Sequence, residues 1–115
     1  LKNQVTGAQE VPPVTTGGSG TIETTFDKMT NVLTWTVTYS GLSGPVTAAH
    51  FHGPAVAGAN AGVAVPFTGN LSSPITGKAT LTAAQAADFT GGRWYVNLHT
   101  AKNPGGEIRG QLTGK

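Results

Sequence analysis

The chain contains no cysteine, which excludes a disulfide framework, a thiolate metal site and a cysteine nucleophile together. Charge is scarce as well. Only 10% of residues are charged, seven basic against five acidic, and the basic ones are scattered rather than interleaved with aromatics. A net charge of +2 spread in this way forms no nucleic-acid surface. Long apolar runs are missing too, since none approaches the roughly 18 residues that a membrane span needs. Leu1-Lys2 opens no basic-plus-apolar export segment, so any such leader is expected to have been removed from this chain. Histidine occurs just three times, and two of the three stand one residue apart in Ala48-Ala49-His50-Phe51-His52-Gly53-Pro54-Ala55.

What the chain has in quantity is glycine, at 17 residues, together with many threonines and valines. β-Branched residues suit a pleated surface and glycines suit tight turns, so an all-β class is expected. A length of 115 residues gives one domain, 1–115, with one core. Gly20 to Phe26 and Asn31 to Tyr39 flank the turn Asp27-Lys28-Met29-Thr30 and read as a hairpin. Leu33, Trp35, Val37 and Tyr39 share one face of it, and Val32, Thr34, Thr36 and Thr38 share the other. Gln4 to Val11, Val46 to Gly53, Gly62 to Phe67, Gly77 to Leu81, Arg93 to His99 and Glu107 to Leu112 bring the total to about eight strands. One segment departs from this pattern. Thr82-Ala83-Ala84-Gln85 has the form of a capping box, alanine-rich sequence continues to Phe89, and Gly91-Gly92 supplies a stop. The expectation is a Greek-key-like antiparallel β-sandwich or flattened barrel with one short helix.

On a strand, His50 and His52 point to the same side while Phe51 points to the other. In Trp94-Tyr95-Val96-Asn97-Leu98-His99 the apolar Trp94, Val96 and Leu98 claim one face and leave Tyr95, Asn97 and His99 on the opposite one. If the two strands are neighbours, three imidazoles converge, and neutral imidazole is a ligand for copper, zinc, nickel and iron. The plainer alternative makes His50 and His52 a polar pair and His99 an unrelated strand end. Other chemistry finds less support. The serines lie in Gly/Pro-rich loops outside any nucleophile-elbow setting, and Gly17-Gly18-Ser19-Gly20 lacks the lysine and helix of a phosphate loop. The carboxylates form no motif pair and read as solvated, with Glu10, set between apolar runs, as the exception. Asn70-Leu71-Ser72 matches a glycosylation acceptor, which matters only after passage through a eukaryotic secretory route.

Several blocks together resemble the CHRD domain, the module first named from chordin: Glu10-Val11-Pro12-Pro13, Tyr39-Ser40-Gly41-Leu42, Ala49 to Ala55, Gly92 to Thr100 and Asn103 to Leu112. The resemblance implies a Greek-key-like β domain, secreted or periplasmic. A second resemblance is to the copper half of copper/zinc superoxide dismutases. It lies in the order Gly41-Leu42, His50-Phe51-His52, a strand ending in His99, and Gly105-Gly106 followed by Arg109. It implies His50, His52 and His99 as copper ligands and Arg109 as the guide for a small anion such as superoxide. The bridging histidine, the zinc ligands and the disulfide of that family have no counterpart here. Copper is expected ahead of zinc by the Irving–Williams order, with a three-histidine zinc site as competitor. Water, Tyr95 or Glu107 would complete the shell, and affinity should collapse below about pH 6.5, where free imidazole protonates. An alternative role for Arg109 is a pair with Glu107 on the same strand face. Three functional classes follow: a redox-active copper enzyme, a copper storage, delivery or electron-transfer module, and a metal-free interaction domain.

Overall fold

The computed structural model describes residues 1–113. Its elements are β1 (Lys2–Thr6), β2 (Ser19–Asp27), β3 (Val32–Ser40), β4 (Val46–His52), β5 (Val63–Pro66), β6 (Ile75–Thr80), α1 (Ala83–Thr90), β7 (Tyr95–Thr100) and β8 (Ile108–Gln111). The expected hairpin is β2–β3, paired from Ser19–Ser40 to Asp27–Val32, with Leu33, Trp35 and Val37 turned into the core. Its turn is fastened by Asp27 Oδ1, which accepts from the backbone N–H groups of Met29 and Thr30. The capping box is present in full. Thr82 Oγ1 accepts from Gln85 N at 3.1 Å, and Gln85 Oε1 accepts from Thr82 N at 3.0 Å. The first strand is shorter than the Gln4 to Val11 run suggested. Gly7 O accepts from both Glu10 N and Val14 N, so the chain coils into a 3-10 turn at Gly7–Gln9 instead of continuing along β8.

All eight strands belong to one antiparallel sheet in the order β5-β4-β7-β8-β1-β2-β3-β6. The neighbours β4–β7, β1–β8 and β3–β6 are distant in sequence, which is the Greek-key-like element of the topology. The sheet curls into a nearly closed barrel around Val5, Ile22, Leu33, Trp35, Phe51, Val96, Leu98 and Ile108. Its two edges meet over Trp35, whose indole stacks on Phe67 just beyond β5 (5.0 Å between centroids, 18° between planes). The same ring lies beneath Gly77 of β6, where a Cβ would fall 2.6 Å from Trp35 Cζ2. For the site, the decisive residue is Phe51. It is fully buried and packs edge-on against Trp35 at 4.9 Å, so its neighbours His50 and His52 must face outward.

Candidate metal centre

Strand register puts the three histidines together. β4 and β7 run antiparallel with Phe51 opposite Val96, His50 opposite Asn97 and His52 opposite Tyr95. His99 stands opposite Ala48, whose small side chain leaves the His99 ring free to lie against His50. From the other side of β7, β8 adds Arg109, opposite Asn97. The centroid separations are 4.8 Å for His50–His99, 5.3 Å for His50–His52 and 6.3 Å for His52–His99. One nitrogen from each ring lies within 4.8 Å of the other two. Two ligands of one ion at about 2.05 Å stand at most about 4.1 Å apart, so a 4.8 Å separation must shorten by at least about 0.7 Å. Side-chain rotation supplies that.

The outer nitrogens are already engaged. His99 Nδ1 lies 2.9 Å from Pro104 O, and His52 Nδ1 lies 3.1 Å from Ala61 O. A proton held on each Nδ1 by its carbonyl leaves the Nε2 lone pair free, which is how metal-binding histidines are commonly oriented. His99 Nε2 faces His50 Nδ1 at 3.1 Å, a span that two nitrogen ligands at about 2.0 Å cover with an angle near 100°. Burial, first, and then the charges of the neighbouring imidazoles hold the His50 pKa below the usual histidine value. For His52 burial is again the largest cause of a lowered pKa; His99 and Arg109 add to it, while the hydrogen bonds to Ala61 and Asn97 oppose it. Neutral imidazole is the form that binds a metal.

Arg109 is fully buried rather than exposed at the mouth of the cluster. Its guanidinium carbon sits 3.5 Å from the centroid of the Tyr95 ring, and the opposite side of that ring stacks on His52 (4.8 Å, 10°). Its nitrogens donate to Asn60 Oδ1 at 2.9 Å and to Ala59 O. Tyr95 Oη in turn donates to Ala61 O and accepts from Ala61 N. Arg109, Tyr95 and His52 therefore all fasten the loop between β4 and β5. The expected Arg109–Glu107 pair is replaced by other partners: the Glu107 carboxylate accepts from Thr16, Ser43, Thr100 and Asn103. Burial is the largest single influence and raises its pKa, but the bonds from Ser43, Thr16 and Thr100 together hold it down to about 2. Engaged in this way, Tyr95 and Glu107 do not fill the remaining position among the imidazoles. Glu10 is buried with Oε2 unpartnered, and burial raises its pKa to about 7 against the lowering influence of Arg109 and Asn97.

The chain matches the CHRD domain family over residues 1–112. It belongs to that family. No curated protein and no solved structure matches it. Among the described residues of this CHRD domain, no helix is long and apolar enough to cross a membrane. The blocks that carry the family resemblance meet around the histidines, with Glu10 from the first, His50 and His52 from the third, and Gly106 and Arg109 from the last. Sequence reasoning placed Asn97 on the correct face but gave it no role. In the CHRD domain it is buried at the middle of the cluster, its Oδ1 2.8 Å from His52 Nε2. The signal was available in the alternation of Tyr95, Asn97 and His99, which puts an amide between two rings. The anchoring loop of Ala59, Asn60 and Ala61 has no comparable sequence signature.

Proposed function

We propose that this CHRD domain is a secreted or periplasmic copper-binding module with one mononuclear site made by His50, His52 and His99. The observation that carries the reading is the disposition of the ring nitrogens. The Nδ1 atoms of His52 and His99 lie 3.1 Å and 2.9 Å from backbone carbonyls that can hold a proton there, and His99 Nε2 meets His50 Nδ1 across 3.1 Å. Three neutral nitrogen donors leave a bound divalent ion with its full charge, and Cu(II) is the tightest-binding divalent first-row ion for such a set. Zn(II) in a three-histidine site with an open position is the competitor. Copper bound here would supply one-electron chemistry toward superoxide or another small oxidant. The protein's own part is to fix the ring tautomers and surround them with positive charge from Arg109. That charge acts from behind Tyr95, through the field and not by contact.

The test is elemental analysis of protein purified without added metal, followed by titration with Cu(II) and Zn(II). One equivalent of Cu(II), bound more tightly than Zn(II) and weakened sharply by alanine at His50, His52 or His99, supports the reading. Undiminished Cu(II) affinity in all three variants removes it and leaves a metal-free interaction domain. A dismutation assay on the copper-loaded protein then separates an enzyme from a storage, delivery or electron-transfer module.

A further inference from the structure

His52 has two oxygen neighbours and, as a neutral imidazole, one proton. Nδ1 is 3.1 Å from Ala61 O and Nε2 is 2.8 Å from Asn97 Oδ1. A proton on Nε2 is donated to Asn97 Oδ1; with the proton instead on Nδ1 and donated to Ala61 O, the lone pairs of Nε2 and Oδ1 face each other with no hydrogen between them. That is an unfavourable contact in the absence of a cation and a favourable one in its presence, because both atoms become donors to the same ion. The separation suits this. Two ligands at about 2.0–2.2 Å that stand 2.8 Å apart subtend an angle of about 85° at the ion, close to the right angle of tetragonal Cu(II).

The amide is also held in the orientation this requires. Oxygen and nitrogen of an asparagine can exchange places by a flip, so the direction must follow from the surroundings. Glu10 supplies the reason. Gly106 has φ +121°, and a Cβ there would fall 2.4 Å from Glu10 Oε2 and 2.7 Å from Asn97 Nδ2, so both groups crowd against its bare Cα. A carboxyl group on the Nδ2 side keeps the amide N–H groups toward Glu10 and Oδ1 toward the imidazoles. Flipping would set the amide oxygen against the Glu10 carboxylate, a repulsive contact whenever that group is ionised. Asn97 is only 4% exposed, so solvent offers its amide no other partner.

We propose that Asn97 Oδ1 is the fourth protein donor to the copper ion, presented to it by Glu10, so that the site is three nitrogens and one oxygen. The proposal rests on the three-histidine reading above. It assigns the vacant fourth position to a neutral oxygen, a hard donor that favours Cu(II) over Cu(I).

The experiment is Cu(II) titration with electron paramagnetic resonance on the full chain and on Asn97→Leu, Asn97→Asp and His99→Ala, each checked for native circular dichroism. Asn97→Leu should lose about ten- to a hundredfold in Cu(II) affinity and change its copper hyperfine splitting as water or nothing replaces the amide. Asn97→Asp keeps an oxygen in place and should restore affinity and the wild-type spectral pattern, a rescue that a purely structural asparagine would not give. If Asn97→Leu does not fold, Asn97→Ala, which also removes the oxygen, is read by the same affinity and spectral criteria, and an unchanged affinity and spectrum there overturns the assignment. Loss of copper in His99→Ala with unchanged affinity and spectrum in Asn97→Leu overturns the fourth-donor assignment alone. A gain in affinity in Asn97→Leu overturns it as well, since the amide would then be competing for His52. No stoichiometric Cu(II) in the wild type overturns both readings.

Discussion

Replacing Glu107 by glutamine probes how the domain holds its loops and whether that carboxylate belongs to the metal centre. Oε2 accepts from Thr16 Oγ1 at 2.6 Å and Ser43 N at 3.0 Å; Oε1 accepts from Ser43 Oγ at 2.6 Å, Thr100 Oγ1 at 2.7 Å and Asn103 Nδ2 at 3.2 Å. These donors come from the segments before β2, after β3, at the end of β7 and in the turn before β8, so one carboxylate ties four parts of the chain. An amide nitrogen in either oxygen position faces at least two donors, and losing two charge-assisted bonds at about 1.5 kcal/mol each costs about 3 kcal/mol. The pKa gives a second route to the magnitude. A fall from 4.5 to about 2 corresponds to about 3 kcal/mol at 1.36 kcal/mol per pH unit, which solvent screening beside the open loops reduces to about 2 kcal/mol. The folded pKa lies below the unfolded one, so this stabilisation is present above about pH 4.5 and is lost as the pH falls toward 2. Urea denaturation at pH 7 should therefore place Glu107→Gln about 2–3 kcal/mol below the wild type, and the gap should shrink by more than half by about pH 3. Equal stability at pH 7, or a gap that stays constant with pH, would refute the assignment. Cu(II) affinity of the variant should match the wild type, because the carboxylate stands among the loop donors and not among the imidazoles.

The lowered pKa values of His50 and His52 shift the pH expectation drawn from free imidazole: Cu(II) affinity should persist to a pH below about 6.5, and a titration midpoint at or above that value would contradict the burial argument. The unfolded imidazoles take protons near pH 6.5 while the folded ones resist, so stability without metal should decline as pH falls through that range, more steeply in the wild type than in His52→Asn. Arg109→Ile should retain one equivalent of copper, lose roughly 2–4 kcal/mol of stability and expose the β4–β5 loop to limited proteolysis. If its charge draws anions in, the same variant should flatten the ionic-strength dependence of azide binding or dismutation; an unaltered dependence would reduce Arg109 to a support. Gly77→Ala should cost about 1–3 kcal/mol and change the near-ultraviolet circular dichroism of Trp35, since its Cβ would press on that indole.

Alternation made much of this legible. Period two fixed which way His50, Phe51 and His52 point, and the turn residues placed every strand that carries the site. The capping box at Thr82 was readable because its partners lie three residues apart. What alternation cannot supply is pairing over long sequence distances. That β4 lies beside β7, and β8 beside β1, follows from how the whole sheet curls, and the convergence of His99 with the other two rings depended on it. Depth was also hidden. Arg109 and Glu107 are charged and stand near a strand end, where exposure is the usual expectation, yet both are buried because the loops folded over them carry enough polar groups to satisfy them. The 3-10 turn that ends β1 depends on two hydrogen bonds to one carbonyl, and no periodicity announces it.

The burial of Arg109 changes the physical content of the dismutase resemblance. A guanidinium that meets an incoming anion must be reachable, whereas this one is stacked on Tyr95 and bonded to the β4–β5 loop. Its effects on the cluster run through two routes that agree in direction. By charge, it disfavours a second proton on His52. By contact, it clamps Ala59 and Asn60, next to the Ala61 carbonyl that lies 3.1 Å from His52 Nδ1. Both favour a neutral His52 with the Nε2 lone pair turned toward Asn97 and the other rings. Glu10 acts on the same point from the other side by orienting the Asn97 amide. A buried cation and a buried carboxyl group whose pKa is raised to about 7, neither among the imidazoles, thus bear on one tautomer and one amide direction. Burying them costs free energy that a surface ion pair would not. In the proposed copper site, that cost would go toward presetting the donors for the ion.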